Sequence, residues 1–137
     1  MALIVPSASE KTWCDFMLGV TTPGNQNLKL FVNNVTPDDT FVAAGLTEMS
    51  TLGYAQKVLT KTSWVTVAGA TGQPATSTYA QQTWTFTAGT AVTVYGYYYT
   101  DVTTGLLVAV ELFSSPKVVQ NTGDQIIITP TITFSRT

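Results

Sequence analysis

The chain of 137 residues carries six basic and eight acidic side chains, for a formal net charge of −2. This length suits one domain, which we expect to span residues 1–137 and to bury roughly two thirds of its unfolded surface. Nucleic-acid binding needs clustered cations, and a spanning helix needs about twenty apolar residues in a row. The sequence has neither, which argues against nucleic-acid and membrane partners.

The low charge indicates a surface that another protein can cover. Charged residues make up only 10% of the chain, against about 25% in ordinary globular domains. Threonine takes the place of many of them, and burying an uncharged surface has a small desolvation cost. The alternative is a threonine-rich β-domain without a special partner, and composition alone does not separate the two.

Catalytic chemistry finds little support in the composition. The chain has no histidine, the commonest general base and a frequent zinc ligand. Its acidic residues mostly fall in predicted turns or at helix ends, where capping and solvation account for them. The single Cys14 cannot form an internal disulfide, and we predict that it packs beside Trp13 and reacts slowly with thiol reagents. We expect no enzyme, no metal site and no cofactor.

An apolar arm and a short helix open the chain. Residues 1–6 are extended and apolar but too short for the core of a signal peptide, so we expect a protein made in a cytoplasm. Positions 7–10 fit a capping box, and Gly19 suits a C-terminal cap. Between them, Trp13, Phe16, Met17 and Val20 recur at helical spacing. The predicted helix is either a lid on a sheet or a contact for a neighbouring subunit.

Strands are predicted from position 28 onward. A first strand covers residues 28–33, where the side chains alternate between two faces, and further strands cover 54–60 and 64–67. Residues 68–78 are small and polar and contain glycines and a proline, so they are predicted to form the longest loop. The aromatic stretch 79–113 then predicts a meander of three antiparallel strands separated by two turns that contain glycine.

Three tyrosines alternate along the central strand of this meander. Tyr95, Tyr97 and Tyr99 should share one face, with Tyr98 on the other. Such a row can belong to the core with its hydroxyls at the rim, form a platform for sugar rings, or form a contact surface, because tyrosine is enriched at interfaces. Glu111, on the next strand, either points to solvent or meets a cation at an interface.

Four large apolar side chains share one face of the last predicted strand: Ile126, Ile128, Ile132 and Phe134. Pro130 interrupts this strand, and because proline cannot donate to a ladder, we expect an unpaired edge or a bulge there. Eight or so short strands with one helix predict a mainly β fold. The form we predict is an antiparallel β-sandwich with jelly-roll wiring and one short N-terminal helix.

Several turn and core signatures, taken together, resemble small structural proteins of tailed bacteriophages. They follow a helix that ends at a glycine and read LKLFVNNVTP at 28–37, TE at 47–48, GYA at 53–55, VYGY at 94–97 and FSSP at 113–116. The resemblance implies a virion component that cements or decorates the capsid lattice, or else belongs to the tail or fibre apparatus. It brings no catalytic residues.

The resemblance also implies partners. Sparse charge and abundant Thr and Tyr leave broad surfaces without electrostatic repulsion, and a capsid lattice offers threefold positions, so we expect self-association as a trimer. The resemblance adds contact with the major capsid protein or another virion protein. The apolar arm could add as a strand to an adjacent subunit, and its folding back onto its own sheet is the competing possibility. The candidate interface residues are Leu3, Ile4, Val5, Tyr95, Tyr97 and Tyr99.

Overall fold

A computed structural model describes residues 3–71 and 73–134 of the chain, without the side chain of Phe134. Within these residues, one α-helix and nine strands follow in chain order: α1 (Ser7–Met17), β1 (Gln26–Phe31), β2 (Lys57–Leu59), β3 (Val65–Val67), β4 (Ala75–Thr78), β5 (Gln82–Thr85), β6 (Val92–Asp101), β7 (Leu107–Val119), β8 (Gln125–Ile128) and β9 (Thr131–Phe134). The start of the predicted arm, Met1 and Ala2, lies outside the described residues.

The strands form three antiparallel sheets. Four strands in the order β2-β1-β6-β7 make the largest, β3-β4-β9 make the second, and β5 pairs with β8 in the third. The prediction of a mainly β fold with one N-terminal helix is confirmed, and the sheets are consistent with a β-sandwich. The jelly-roll form of the connections stays a prediction.

The predicted three-strand meander is wrong in one pairing. β6 pairs with β7, but β5 pairs with β8 and belongs to another sheet, where Trp84 lies opposite Ile126. The turn pattern between β5 and β6 indicated a local hairpin, whereas packing of the large side chains joins β5 to a strand far along the chain. β7 also continues through Pro116, where the pairing register shifts. Val94 and Gly96 are two residues apart on β6, whereas their partners Lys117 and Leu112 are five residues apart on β7.

The segment predicted as the longest loop is corrected in part. It contains β4, whose small polar side chains give a weak strand signal but which pairs with β3 and β9. The last predicted strand is divided at Pro130 into β8 and β9. β8 belongs to the two-stranded sheet and β9 is the outer strand of the three-stranded sheet, so the expected edge position is confirmed. Pro130 is buried, and its carbonyl accepts a hydrogen bond of 2.9 Å from the backbone N–H of Tyr79.

The four-stranded sheet is covered on both faces. One face packs in a main cluster that includes Leu28 and Leu30 of β1 and Trp84 of β5. The other face packs in a second cluster of Phe31, Leu46, Tyr98, Leu107 and Val110. Burial on both sides explains why β6 is apolar and aromatic at consecutive positions instead of alternating with polar ones.

Gly96, on β6, allows β7 and the ring of Phe31 to approach closely. A Cβ atom at this position would lie 2.2 Å from the backbone oxygen of Glu111 and 2.8 Å from the Phe31 ring. Real Cβ atoms do not come this close to backbone, so only glycine fits without displacement of a strand.

Helix α1 begins at Ser7, with Pro6 at its N-cap, and no side chain of the described residues donates or accepts a capping hydrogen bond there. The predicted capping box is therefore wrong. The Ser9 hydroxyl donates instead to the backbone carbonyl of Leu107 on β7 and ties the helix to the sheet. Gly19 has a φ of 70°, as predicted for a C-terminal cap.

Candidate interaction surfaces

The arm residues Leu3, Ile4 and Val5 lie against the protein's own sheet. Ile4 bridges Val110 on β7, with two backbone hydrogen bonds of 2.9 Å. Leu3 and Val5 pack against the main cluster, and Ile4 packs against the second cluster. The structure thus follows the competing possibility, in which the arm folds back, because the edge of β7 offers backbone partners within the same chain.

Tyr95, Tyr97 and Tyr99 do not form one exposed row. Tyr97 is 8% exposed, Tyr99 is fully buried, and both belong to the main cluster. Tyr95 packs against the second cluster, as Tyr98 does, because the register shift around Gly96 breaks the alternation. The core alternative is confirmed for Tyr97 and Tyr99, so the predicted sugar platform or contact surface is wrong for this row.

Glu111 neither points freely to solvent nor meets a described cation. It is half-buried, and its Oε2 accepts a 2.6 Å hydrogen bond from the Tyr97 hydroxyl. Burial raises the pKa of Tyr97, and the bond to Glu111 raises it further. Burial also raises the pKa of Tyr99, whose hydroxyl lies near Tyr97 and Thr131 but lacks a well-formed hydrogen bond among the described residues. Both hydroxyls therefore stay neutral, as structural groups.

A second polar group joins β1 to the segment that precedes β2. Lys29 Nζ lies 2.9 Å from Glu48 Oε2, and the Tyr54 hydroxyl donates to Glu48 Oε1 at 3.1 Å. The same hydroxyl accepts the backbone N–H of Leu30 at 3.1 Å. Burial, more than the neighbouring Glu48, raises the pKa of Tyr54. These contacts hold the segment in place, which is a structural role.

Aspartates serve as turn caps. Carboxylate oxygens accept backbone N–H groups two to four residues away at Asp38, Asp101 and Asp124. The N–H groups of Asn121 and Gln120 lower the pKa of Asp124. Within the part of the chain that the structure describes, no three acidic, cysteine or histidine residues are placed to hold a metal ion. The prediction that turn capping accounts for these aspartates is confirmed.

A cleft with two tryptophans in its wall lies between α1 and the three-stranded sheet. Its volume is about 160 Å³, and its lining includes Trp13, Pro23, Gln26, Lys61, Trp64 and Ser77. The Trp64 ring contacts the rings of Tyr79 and Tyr99, with centroids 5.4 and 6.4 Å away. Gln26 Oε1 is buried without a hydrogen-bond donor among the described residues. We name this feature the tryptophan cleft.

The C-terminal end of α1 exposes large apolar side chains. Met17 and Leu18 are each 78% exposed and Val20 is 68% exposed. We name these three residues the helix-end patch. A neighbouring apolar cavity of about 330 Å³ is lined in part by Phe16 and Met17. The helical spacing placed Met17 and Val20 on the face of Trp13 and Phe16, but the helix stops at Met17, so the chain carries Val20 away from the sheet.

Cys14 is exposed on α1, so its predicted packing role is wrong. Each residue of an α-helix is rotated by about 100° from the one before it, which turns Cys14 away from the direction of Trp13. A thiol reagent should therefore label Cys14 rapidly in the folded protein.

Sequence reasoning missed the tryptophan cleft. It considered the helix as a contact for a neighbouring subunit, but it did not predict that Met17, Leu18 and Val20 are exposed together. The cleft is formed by segments around positions 13, 26, 64 and 77 that are distant in the chain, and no local pattern joins them.

Comparison of the chain with protein-family models, with curated proteins and with solved structures gives no match. No helix of the described residues is long and apolar enough to cross a membrane.

Proposed function

We propose that the protein is a non-enzymatic structural subunit that binds another subunit of an assembly through the helix-end patch. The exposure of Met17, Leu18 and Val20 carries this proposal. Apolar residues scattered singly on a surface are ordinary, whereas a contiguous group marks a contact. Burying each side chain in a partner would stabilise the complex by about 1.5–3 kcal/mol.

The assembly is a tailed-phage virion, in which the protein cements or decorates the capsid and bridges its subunits. The sequence signatures at 28–37 and 94–97 support this assignment, together with the low charge. The major capsid protein or another virion protein is then the partner, and a place in the tail or fibre is the alternative. The helix-end patch replaces the arm as the bridging element, since the arm is used within the chain.

Particle composition tests this proposal. Phage particles from the strain that encodes the chain, purified on a density gradient, should contain it at a fixed copy number by quantitative mass spectrometry. The double variant Leu18→Ser/Val20→Ser should be lost from particles. The matched control Ile127→Ser removes another exposed apolar side chain, 52% exposed on β8, and should be retained. Particles without the wild-type chain, or with equal amounts of both variants, would contradict the proposal.

Carbohydrate binding is the second candidate function, and the tryptophan cleft favours it. Ligand sites combine apolar and aromatic walls with a few polar groups that fix orientation. Trp13 and Trp64 provide surfaces on which a sugar ring can stack. Lys61 and Ser77 add polar groups, and a sugar hydroxyl could donate to the buried Gln26 Oε1. For the receptor-binding alternative, the candidate sugar site is therefore the tryptophan cleft and not the tyrosine row.

A glycan array with the purified protein tests this second function. Micromolar binding to one sugar class should disappear in Trp64→Ala and weaken in Lys61→Ala, an exposed position, while Ile127→Ala should bind normally. Melting curves must show that Trp64→Ala is folded. Absence of binding to any sugar, or binding unaffected by both cleft variants, would contradict a carbohydrate site in the cleft.

A further inference from the structure

Among the residues that the structure describes, no strand pairs with the outer edge of β3 in the three-stranded sheet. This strand is outermost in the order β3-β4-β9. All three of its residues are exposed, and Val65 and Val67 are each 65% exposed. The nearest charged residues along the sequence are Lys61 and Asp101, so 39 consecutive residues, 62–100, carry no charge. β3 and the sequence around it are therefore uncharged, with one exposed valine on either side of Thr66.

Three other strand edges of the protein have a protection that β3 lacks. Proteins block edge pairing with lysine, proline, bulges or a covering segment. Ile4 covers part of the β7 edge, β2 begins with Lys57, and β9 follows Pro130. β3 contains neither lysine nor proline and pairs with β4 without a register shift. Its edge is thus open to another strand.

The hydrogen-bond pattern shows which backbone groups face this edge. Tyr79 donates its N–H to Pro130, so its backbone groups point toward β9. Backbone groups alternate in direction along a strand, and therefore those of Thr76 and Thr78 point toward β3. The register pairs these threonines with the two valines of β3. Thr66, between the valines, must direct its N–H and C=O away from β4, toward the open edge.

We propose that a second copy of the chain binds here, with β3 against β3 in antiparallel orientation about a twofold axis. Thr66 of each copy would then exchange two backbone hydrogen bonds with Thr66 of the other. Val65 of each copy would lie opposite Val67 of the other copy, so the contact contains two such valine pairs. The two three-stranded sheets would join into one sheet of six strands.

A second copy fits this edge because the edge is complementary to itself. A twofold contact uses the same surface on both partners, and an antiparallel strand pair has this symmetry. The pairing brings four exposed valines together on one face, and the uncharged stretch around β3 introduces no like-charge repulsion. Such a contact closes with two copies, so it gives a dimer where the resemblance to virion proteins implied a trimer. It does not depend on the helix-end patch.

Sedimentation velocity over a range of protein concentrations tests the dimer. The wild-type chain should pass from monomer to dimer as its concentration rises. Val65→Lys/Val67→Lys should weaken dimerisation at least tenfold, since it places charges on both sides of the twofold axis. The control Ile127→Lys puts a lysine at an exposed isoleucine of another sheet and should dimerise normally. A wild-type chain that stays monomeric, or a trimer unaffected by the β3 variants, would overturn the proposal.

Disulfide trapping tests the register. In a Cys14→Ser background, Val65→Cys and Val67→Cys are prepared as separate variants. Residues opposite each other without hydrogen bonds have Cα atoms about 4.5 Å apart, within the range that a disulfide spans. Mixing the two variants under mild oxidation should give a covalent heterodimer in high yield, and each variant alone should give little. Equal yields from the mixture and the single variants, or no covalent dimer, would exclude this register.

Discussion

The surfaces of the two larger sheets differ. We name the four-stranded sheet β2-β1-β6-β7 the closed sheet and the three-stranded sheet β3-β4-β9 the open sheet. Apolar side chains cover both faces of the first, and Ile4 covers part of its β7 edge. The second exposes Val65 and Val67, and no strand in the described part of the chain pairs with the outer edge of β3. The comparison indicates that the first sheet supplies most of the folding free energy, whereas the second can change at its surface with little loss of stability and is available for contact.

The largest effect is expected from Gly96→Ala, at the centre of the closed sheet. The added methyl group would meet the backbone oxygen of Glu111 at 2.2 Å. Overpacking against backbone cannot be relieved by a side-chain rotation, so we expect a loss of about 3 kcal/mol in the free energy of unfolding. Urea denaturation followed by circular dichroism measures it.

Gly19→Ala is the matched control for this substitution. Gly19 has a positive φ, but an added Cβ would have no atom of the described residues within 4 Å. Gly19→Ala should therefore lower the free energy of unfolding only through the strain of a positive φ at alanine, by about 1 kcal/mol. Equal losses from the two alanine variants would show that the close approach at Gly96 is not what stabilises the sheet.

Removal of residues 1–5 should have the next largest effect. The deletion takes away both hydrogen bonds between Ile4 and Val110 and the packing of Leu3 and Val5. These side chains are only partly buried, so we expect a loss of about 2 kcal/mol. Thermal melting checks this against Ile127→Ala, which should melt as the wild type does. An unchanged melting temperature would restore the sequence expectation that the arm is free to bind a partner.

Alkaline pH should lower the free energy of unfolding, because the closed sheet contains buried tyrosines. Burial raises the pKa of Tyr97 and Tyr99 above the ordinary value near 10. Above pH 10 the unfolded chain loses phenolic protons that the folded protein keeps, so stability falls as the pH rises and is unaffected below pH 9. The slope is at most about 1.4 kcal/mol per pH unit for each tyrosine.

Melting temperatures between pH 8 and 11.5 measure this dependence. Tyr97→Phe removes one titrating group and should make the decline less steep. A melting temperature that is constant up to pH 11.5, or tyrosinate absorbance that develops fully near pH 10 in the folded protein, would show that these hydroxyls are not shielded.

Sequence patterns predicted the closed sheet better than the open one, for a physical reason. In β1, Leu28 and Leu30 face the main cluster and Phe31 faces the second cluster, as alternation predicted. In β4, all four side chains are small or polar, so no apolar pattern marks a strand whose stability comes from pairing on both sides. Tyr95 was misplaced because a bulge changes the face of a residue without a change in composition.

The candidate surfaces depend on tertiary structure and could not be predicted from local patterns. The tryptophan cleft needs the packing of α1 beside the three-stranded sheet before Trp13 and Trp64 share a wall. The helix-end patch depends on the residue at which α1 stops. The charge-free stretch around β3 was visible in the sequence, but its meaning depended on which strand lies at the edge of the sheet.

The smallest effect is expected when valine is replaced by threonine in the open sheet. Val65→Thr/Val67→Thr keeps the β-branched shape and changes side chains that are 65% exposed. Studied at concentrations where the chain is monomeric, it should change the free energy of unfolding by less than about 0.5 kcal/mol. Val94→Thr makes the same change at a fully buried position of β6 and should lose about 1–3 kcal/mol, because it places a hydroxyl group in the apolar main cluster. Chemical denaturation of both variants compares the two sheets directly. Similar losses would mean that the β3 valines are held in the monomer's own core, and the contrast between a stabilising sheet and a contacting sheet would then be wrong.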